Sequence, residues 1–173
     1  MLGHLETVAA ARRPDLLAAP VVAALAGMSA VEVAEIHPTL ADTAKLCAAY
    51  DLPLDTSANC VVVTGRRGDV ERHAACVVLA TTRADVNGLV RRRLDARKAS
   101  FASMDFAVAA SGMEHGGITP IGLPDDWLLL VDAAVVATPL VVVGSGLRRS
   151  KLVLPGASLA DLPRAEVVDG LGR

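Results

Sequence analysis

The stretch CVVVTGRRGDVERHAACVVLATT, Cys60 to Thr82, constrains the fold more than any other part of the chain. Two runs rich in β-branched residues flank a turn containing glycine and arginine, and such residues pack on a pleated surface better than in a helix. A β-hairpin is expected here. Aromatic residues make up only 2% of the chain, so Val, Leu, Ile and Ala must fill the interior that this hairpin helps to enclose. With 53% hydrophobic and 21% charged residues over 173 positions, the composition is that of a globular chain with one core.

The flanking segments add short elements of both kinds. PDLLAAPVVAALAGM reads as helical, with Pro14 near its start, Gly27 near its end and Pro20 kinking or splitting it. VEVAEI alternates with period two and predicts a strand. LADTAKLCAAY predicts a helix capped by Asp42 or Thr43, with Leu46 and Ala49 on its apolar side. Pro53 to Asn59 is a turn-rich connection. VNGLVRRRLDA predicts a helix with Leu89, Val90 and Leu94 inward, KASFA a strand, and SMDFAVAAS a helix capped by Ser103 and closed by Gly112. WLLLVD, PLVVVGS and KLVLP predict strands, SLADL a short helix and AEVVD a last strand. Strand and helix do not alternate regularly, which excludes a doubly wound parallel fold. The expected class is α+β: a mixed, mainly antiparallel β-barrel or strongly curved sheet flanked by short helices. Residues 1–30 form an N-terminal helical segment and 31–173 the main domain of one compact unit.

Net charge is −2, from seventeen basic and nineteen acidic side chains, so the global field does not point to nucleic acid. The cations are unevenly placed, however. Arg66, Arg67, Arg72, Arg91, Arg92, Arg93, Arg97 and Lys98, followed by Arg148, Arg149 and Lys151, form either a solvated face or a surface for a phosphate backbone. Cys47, Cys60 and Cys76 lack metal-type spacing, and His4, His37 and His73 lie far apart, so no metal site is expected. The odd cysteine count fits a reduced, cytoplasmic setting. MLGHLETVAA lacks the pattern of a signal peptide, and the apolar runs are short or interrupted by Pro20, Asp132 or Pro139, so no membrane span is expected.

ASGMEHGGITPIGLP, Ala110 to Pro124, holds four glycines and two prolines in fifteen residues. It lacks the Lys-Ser/Thr ending of a nucleotide phosphate loop and does not open a helix after a strand. Two uses remain for so bare a backbone: a tight turn with glycines at positive φ, or close approach of main-chain groups to a ligand.

SGMEHGGITPIGLP resembles the signature loop of the YbaK/EbsC superfamily, aminoacyl-tRNA deacylases that also occur as the editing insertion of bacterial prolyl-tRNA synthetases. HPTLADTAKLCAAYDLP resembles the family's early helix and following loop, ANCVVV its first central strand, and VGSGLRRSKLVLP its late hairpin, so the resemblance spans about residues 31 to 168. It implies a mixed barrel with a pocket for an aminoacyl group beside the glycine-rich loop. The implied reaction is hydrolysis of the ester joining a wrong amino acid to tRNA, a need that arises because one methylene gives a synthetase only about 1–3 kcal/mol of discrimination.

Two positions depart from the family pattern. The lysine of the first central strand is replaced by Asn59, and the aspartate of the late hairpin by Lys151. The cation would then have moved from one wall of the pocket to the other, with Asn59 supplying a neutral hydrogen bond. The resemblance implies catalytic roles for Asn59, Gly116 and Lys151, and substrate contacts from Cys60, His115, Gly117, Ile118, Thr119, Pro120, Asp132 and Ser145. Several have ordinary alternatives: Lys151 as a solvent-facing strand residue, Cys60 as a core residue, Asp132 as a helix cap, Thr119 and Ser145 bonded to their own turns.

The expected function is hydrolysis of mischarged aminoacyl-tRNA in trans, with water as nucleophile and no cofactor. Aminoacyl-tRNA is the expected partner, with an aminoacyl-tRNA synthetase as a second. The alternative is a binding or regulatory module that kept the pocket without turnover, for a small acyl or nucleotide ligand or a protein partner.

Overall fold

The computed structural model describes residues 2–173. In chain order the strands are β1 (Val8–Ala9), β2 (Glu32–Glu35), β3 (Ala58–Arg67), β4 (Val70–Leu79), β5 (Lys98–Phe101), β6 (Leu128–Asp132), β7 (Val141–Gly144), β8 (Ser150–Leu154) and β9 (Ala165–Val168). The helices are α1 (Ala19–Ala24), α2 (Thr43–Tyr50), α3 (Arg91–Arg93), α4 (Met104–Ser111) and α5 (Ala133–Val136).

β3 and β4 form the expected hairpin, in register from Ala58 opposite Leu79 to Arg67 opposite Val70. Gly68 opens the two-residue loop at φ 58°, the left-handed region that a tight hairpin demands there. β5 pairs antiparallel with β3, while β6 runs parallel to β4 and β9 parallel to β6, giving the order β5-β3-β4-β6-β9. The second sheet, β1-β2-β8-β7, is antiparallel throughout. The α+β expectation therefore holds as two sheets with few helices. Their hydrogen-bond ladders are separate, and a lone parallel bridge between Ser57 and Val142 links the edge of β3 to β7.

Alternation along the strands sorts the core into three layers. Val62, Ala75, Val77, Leu129 and Val131 of one sheet meet Val33, Val143, Leu152 and Leu154 of the other. On the outer face of the five-stranded sheet, Val63, Cys76 and Leu130 lie under Val86, Val90 and Leu94. On the outer face of the four-stranded sheet, Ala34, Val142 and Val153 lie under Leu46 and Cys47 of α2. Strands buried on both faces explain the unbroken apolar runs VVV and LLLV.

Pro20 sits in the first turn of α1, where its missing N–H costs nothing, and short 3-10 turns lie on either side. Asp42 caps α2 by accepting from Lys45 N, and Ser103 caps α4 by accepting from Phe106 N. The buried face of α2 is Leu46 and Cys47; Ala49 is exposed, since one turn and the adjoining residue already cover the sheet. VNGLVRRRLDA starts as a π turn, Val86–Val90, because Asp85 draws in the N–H groups of Gly88 and Leu89 at 3.1 and 3.0 Å. The helical turn expected at SLADL lies earlier, at Gly156–Leu159. β1 and α5 are additions that the sequence reading did not include. No helix is long and apolar enough to cross a membrane among the described residues.

Candidate functional site

The segment that leads into α2 gathers the expected catalytic positions. Pro38–Leu40 form a 3-10 turn, Asp42 caps α2, and Ala41 and Thr43 lie either side of the cap. β8 alternates so that Leu152 and Leu154 enter the inter-sheet core and Lys151 and Val153 point to the face covered by α2. Lys151 is accordingly only 7% exposed, which excludes the solvent-facing alternative. Its ammonium donates to Ala41 O at 2.9 Å and makes no ion pair among the described residues. Burial lowers its proton affinity, Asp42 opposes the shift, and Arg148 adds to it. Two residues after Ala41, the Thr43 hydroxyl donates to Asn59 Oδ1 at 2.7 Å.

The glycine-rich loop reaches the same segment from the other side. Gly112 closes α4 at φ 69°, and the chain then folds onto the β7–β8 turn through Glu114 N to Gly146 O at 2.8 Å and Gly146 N to Gly117 O at 2.7 Å. These are backbone-on-backbone contacts: a Cβ on Gly117 would lie 2.8 Å from the Leu147 main chain, and one on Gly144 would collide with the carbonyls of Gly117 and Ile118. Gly116 is exposed at φ 79°, and a Cβ there would lie 2.8 Å from Arg148 Nη1 and 3.5 Å from the Ala41 side chain. Its N–H takes part in no hydrogen bond among the described residues. Arg148 fastens both flanks, donating from Nη1 to His115 O at 2.9 Å and from Nη2 to Pro38 O at 3.3 Å. Its own N–H donates to Glu114 Oε2 at 2.7 Å.

Lys151, Asn59 and Gly116 thus each reach residues 41–43 through a separate contact: Lys151 at Ala41 O, Asn59 at the Thr43 hydroxyl and Gly116 beside the Ala41 side chain. The space left beside Lys151, lined also by Thr43 and Ser57, is about 10 Å³, the scale of one water. A far larger cavity, about 460 Å³, follows the second half of the loop. Pro120, Trp127, Leu129 and Leu162 line it, and neither Asn59 nor Lys151 borders it.

The remaining expected positions divide. His115 is exposed and Ile118 packs on the inter-sheet core. Thr119 is fully buried with its hydroxyl unpartnered, a donor and acceptor held ready beneath the loop. Ser145 Oγ bonds Ser150 Oγ at 2.7 Å and accepts from Leu147 N at 3.2 Å, knotting the β7–β8 turn. Asp132 lies at the end of β6, where one carboxylate oxygen caps α5 through Ala134 N at 2.8 Å and the other accepts from Gly172 N. Cys60 packs on the inter-sheet core, and burial pushes its thiol up, away from the thiolate a nucleophile needs. Thr43 and Arg148 were not among the expected site residues. Thr43 reads in the sequence as a cap and Arg148 as a surface cation, and neither carries a local sign of its long-range bond.

The model of the family described as "Aminoacyl-tRNA editing domain" matches residues 37–162, from the turn before α2 to beyond β8. The chain belongs to the aminoacyl-tRNA editing domain family. The match covers every element of the site just described. No curated protein sequence matches this chain. Among solved structures, a candidate trans-editing enzyme for prolyl tRNA synthetase superposes with TM-score 0.74 at 21% identity, over 88% of this chain and 94% of that one. A scaffold protein from computational epitope backbone grafting gives TM-score 0.74 at 21% identity over 88% and 95%. A hypothetical protein gives 0.70 at 20% over 82% and 90%. At these identities the likeness establishes that the editing domain's fold is shared.

Proposed function

We propose that this editing domain hydrolyses the ester of mischarged aminoacyl-tRNA in trans, with water as nucleophile. The observation that carries the reading is that Lys151, Asn59 and Gly116 each contact residues 41–43 at the entry to α2, in a chain of the editing family. Lys151 donates to the ester carbonyl as negative charge develops there, and the Gly116 N–H adds a second donor. Loss of one such donor typically costs about 2.7–4 kcal/mol of barrier. Asn59 hydrogen-bonds the terminal ribose, whose hydroxyl positions the water. Admitting an esterified ribose requires the 38–43 segment to swing away, which releases Lys151 from Ala41 O. The two sheets, bridged at Ser57 and Val142, serve as a curved, barrel-like support, and the setting is cytoplasmic.

The closeness of the cavity at Lys151 favours a second reading, a module that binds an acyl or nucleotide ligand without turnover. A panel of mischarged tRNAs separates the two. Release of the amino acid above the spontaneous rate supports hydrolysis, and binding without release across the panel overturns it.

A further inference from the structure

The chain is slightly acidic overall, yet one sheet edge is strongly basic. β5 is one of the two edge strands of the five-stranded sheet, and a groove of about 910 Å³ runs between it, the Val86–Val90 turn and the start of α4. Arg66, Arg91, Arg97 and Lys98 line this groove together with Phe101. Arg66 is held by Glu71 at 2.8 Å, and Arg91 Nε donates to Asn87 O at 2.8 Å. Arg91, Arg97 and Lys98 form no ion pair among the described residues. The nearby carboxylate of Asp95 is taken up by Arg67 and Arg72. The positive charge of Arg91, Arg97 and Lys98 along this edge is therefore not neutralised by an ion pair among the described residues.

Phe101 gives the groove a second character. It is one of only two phenylalanines in the chain and is 61% exposed, the most exposed large apolar side chain among the described residues. Backbone-tracking cations beside an open aromatic face are the combination that single-stranded nucleic acid takes up. β3 connects this edge to the candidate site: Arg66 pairs with Lys98 near one end, and Asn59 stands near the other. At the usual strand rise their separation is about 23 Å.

We propose that the β5 edge is an RNA-docking surface, with phosphates against Arg91, Arg97 and Lys98 and an unpaired base on Phe101. The inference rests on the reading of this chain as acting on aminoacyl-tRNA, and it adds where the RNA body lies while its acylated end occupies the Asn59–Lys151 site.

The test measures binding of uncharged tRNA against salt for the wild type, the double variant Arg97→Ala/Lys98→Ala, and Phe101→Ala, with melting temperature as a fold check. Hydrolysis of an aminoacyl-adenosine is followed in parallel. The double variant is expected to bind more weakly, with a log–log salt slope shallower by about 1.5. Phe101→Ala is expected to bind about tenfold more weakly with the slope unchanged. Both variants should cleave aminoacyl-adenosine at the wild-type rate. Wild-type affinity and slope in the double variant would overturn the surface. So would displacement of tRNA by polyglutamate together with indifference to Phe101→Ala, which marks a general polyanion face. Intact tRNA binding without cleavage of aminoacyl-adenosine would overturn the hydrolytic reading and leave the surface in place.

Discussion

Thr43 hydrogen-bonds Asn59 across 2.7 Å and so ties the first turn of α2 to the start of β3. Lys151 is tied to the same segment through Ala41 O at 2.9 Å. One stretch of chain therefore positions both residues. Thr43→Val keeps the shape and removes the donor. It is expected to lower unfolding free energy by about 1 kcal/mol in urea titrations, and to reduce deacylation more than substrate binding. Unchanged kinetics would show that Asn59 needs no such orientation.

Lys151→Met replaces a buried cation, without an ion-pair partner among the described residues, by an apolar side chain of similar length, a change that is often neutral or stabilising. The expected outcome is a melting temperature equal to or above that of the wild type, with deacylation lost. The pH dependence has a definite sign. Because burial lowers the folded-state value, the native protein releases the Lys151 proton before the unfolded chain does, and stability rises with pH in the window below 10.5. Denaturant midpoints measured across that window should climb in the wild type and lose this component in Lys151→Met.

Moving the cation to the Asn59 position offers a sharper check on its role. Lys151→Asp alone leaves the site without an ammonium and should abolish turnover. Adding Asn59→Lys should restore it, since the positive charge then stands on β3. A double variant no better than Lys151→Asp would mean that the two walls are not interchangeable.

Gly144→Ala places a methyl against two main-chain oxygens that have no rotamer to escape into. Overpacking of this kind costs about 1–3 kcal/mol, equivalent to a fall of roughly 2–9 °C in melting temperature for a domain of this size. Deacylation should fall further than stability, because the displaced carbonyls belong to the loop that carries Gly116. Differential scanning calorimetry beside single-turnover kinetics reads both.

Cys60 is expected to resist iodoacetamide in the native protein at pH 8, since burial disfavours its thiolate. Cys60→Ala should keep deacylation within a few-fold. Rapid alkylation with parallel loss of activity would reinstate the thiol as a nucleophile.

Elements whose signals are local were legible in the sequence. The β3–β4 hairpin follows from two β-branched runs and a glycine turn, α4 from Ser103 and Gly112, and α2 from Asp42. The fate of Ala49 was not, because the face of α2 that turns inward is chosen by the sheet beneath it. Nor was the π turn at Val86, where one aspartate rewires two amides. β1 has two residues and α5 four, too few for any periodicity. In the site, the glycine loop announced itself through composition. The bond of Lys151 to Ala41 spans 110 positions and leaves no trace in either neighbourhood.

The guanidinium of Arg148 grips Pro38 O on one lip of the site and His115 O on the other. Neither lip can part from its neighbour while both bonds last, and the bonds of Lys151 to Ala41 O and of Thr43 to Asn59 hold the same segment, so under the hydrolytic reading admission of an acyl group breaks several bonds together. Entry would be thresholded rather than gradual, and a small guest would gain little by being small.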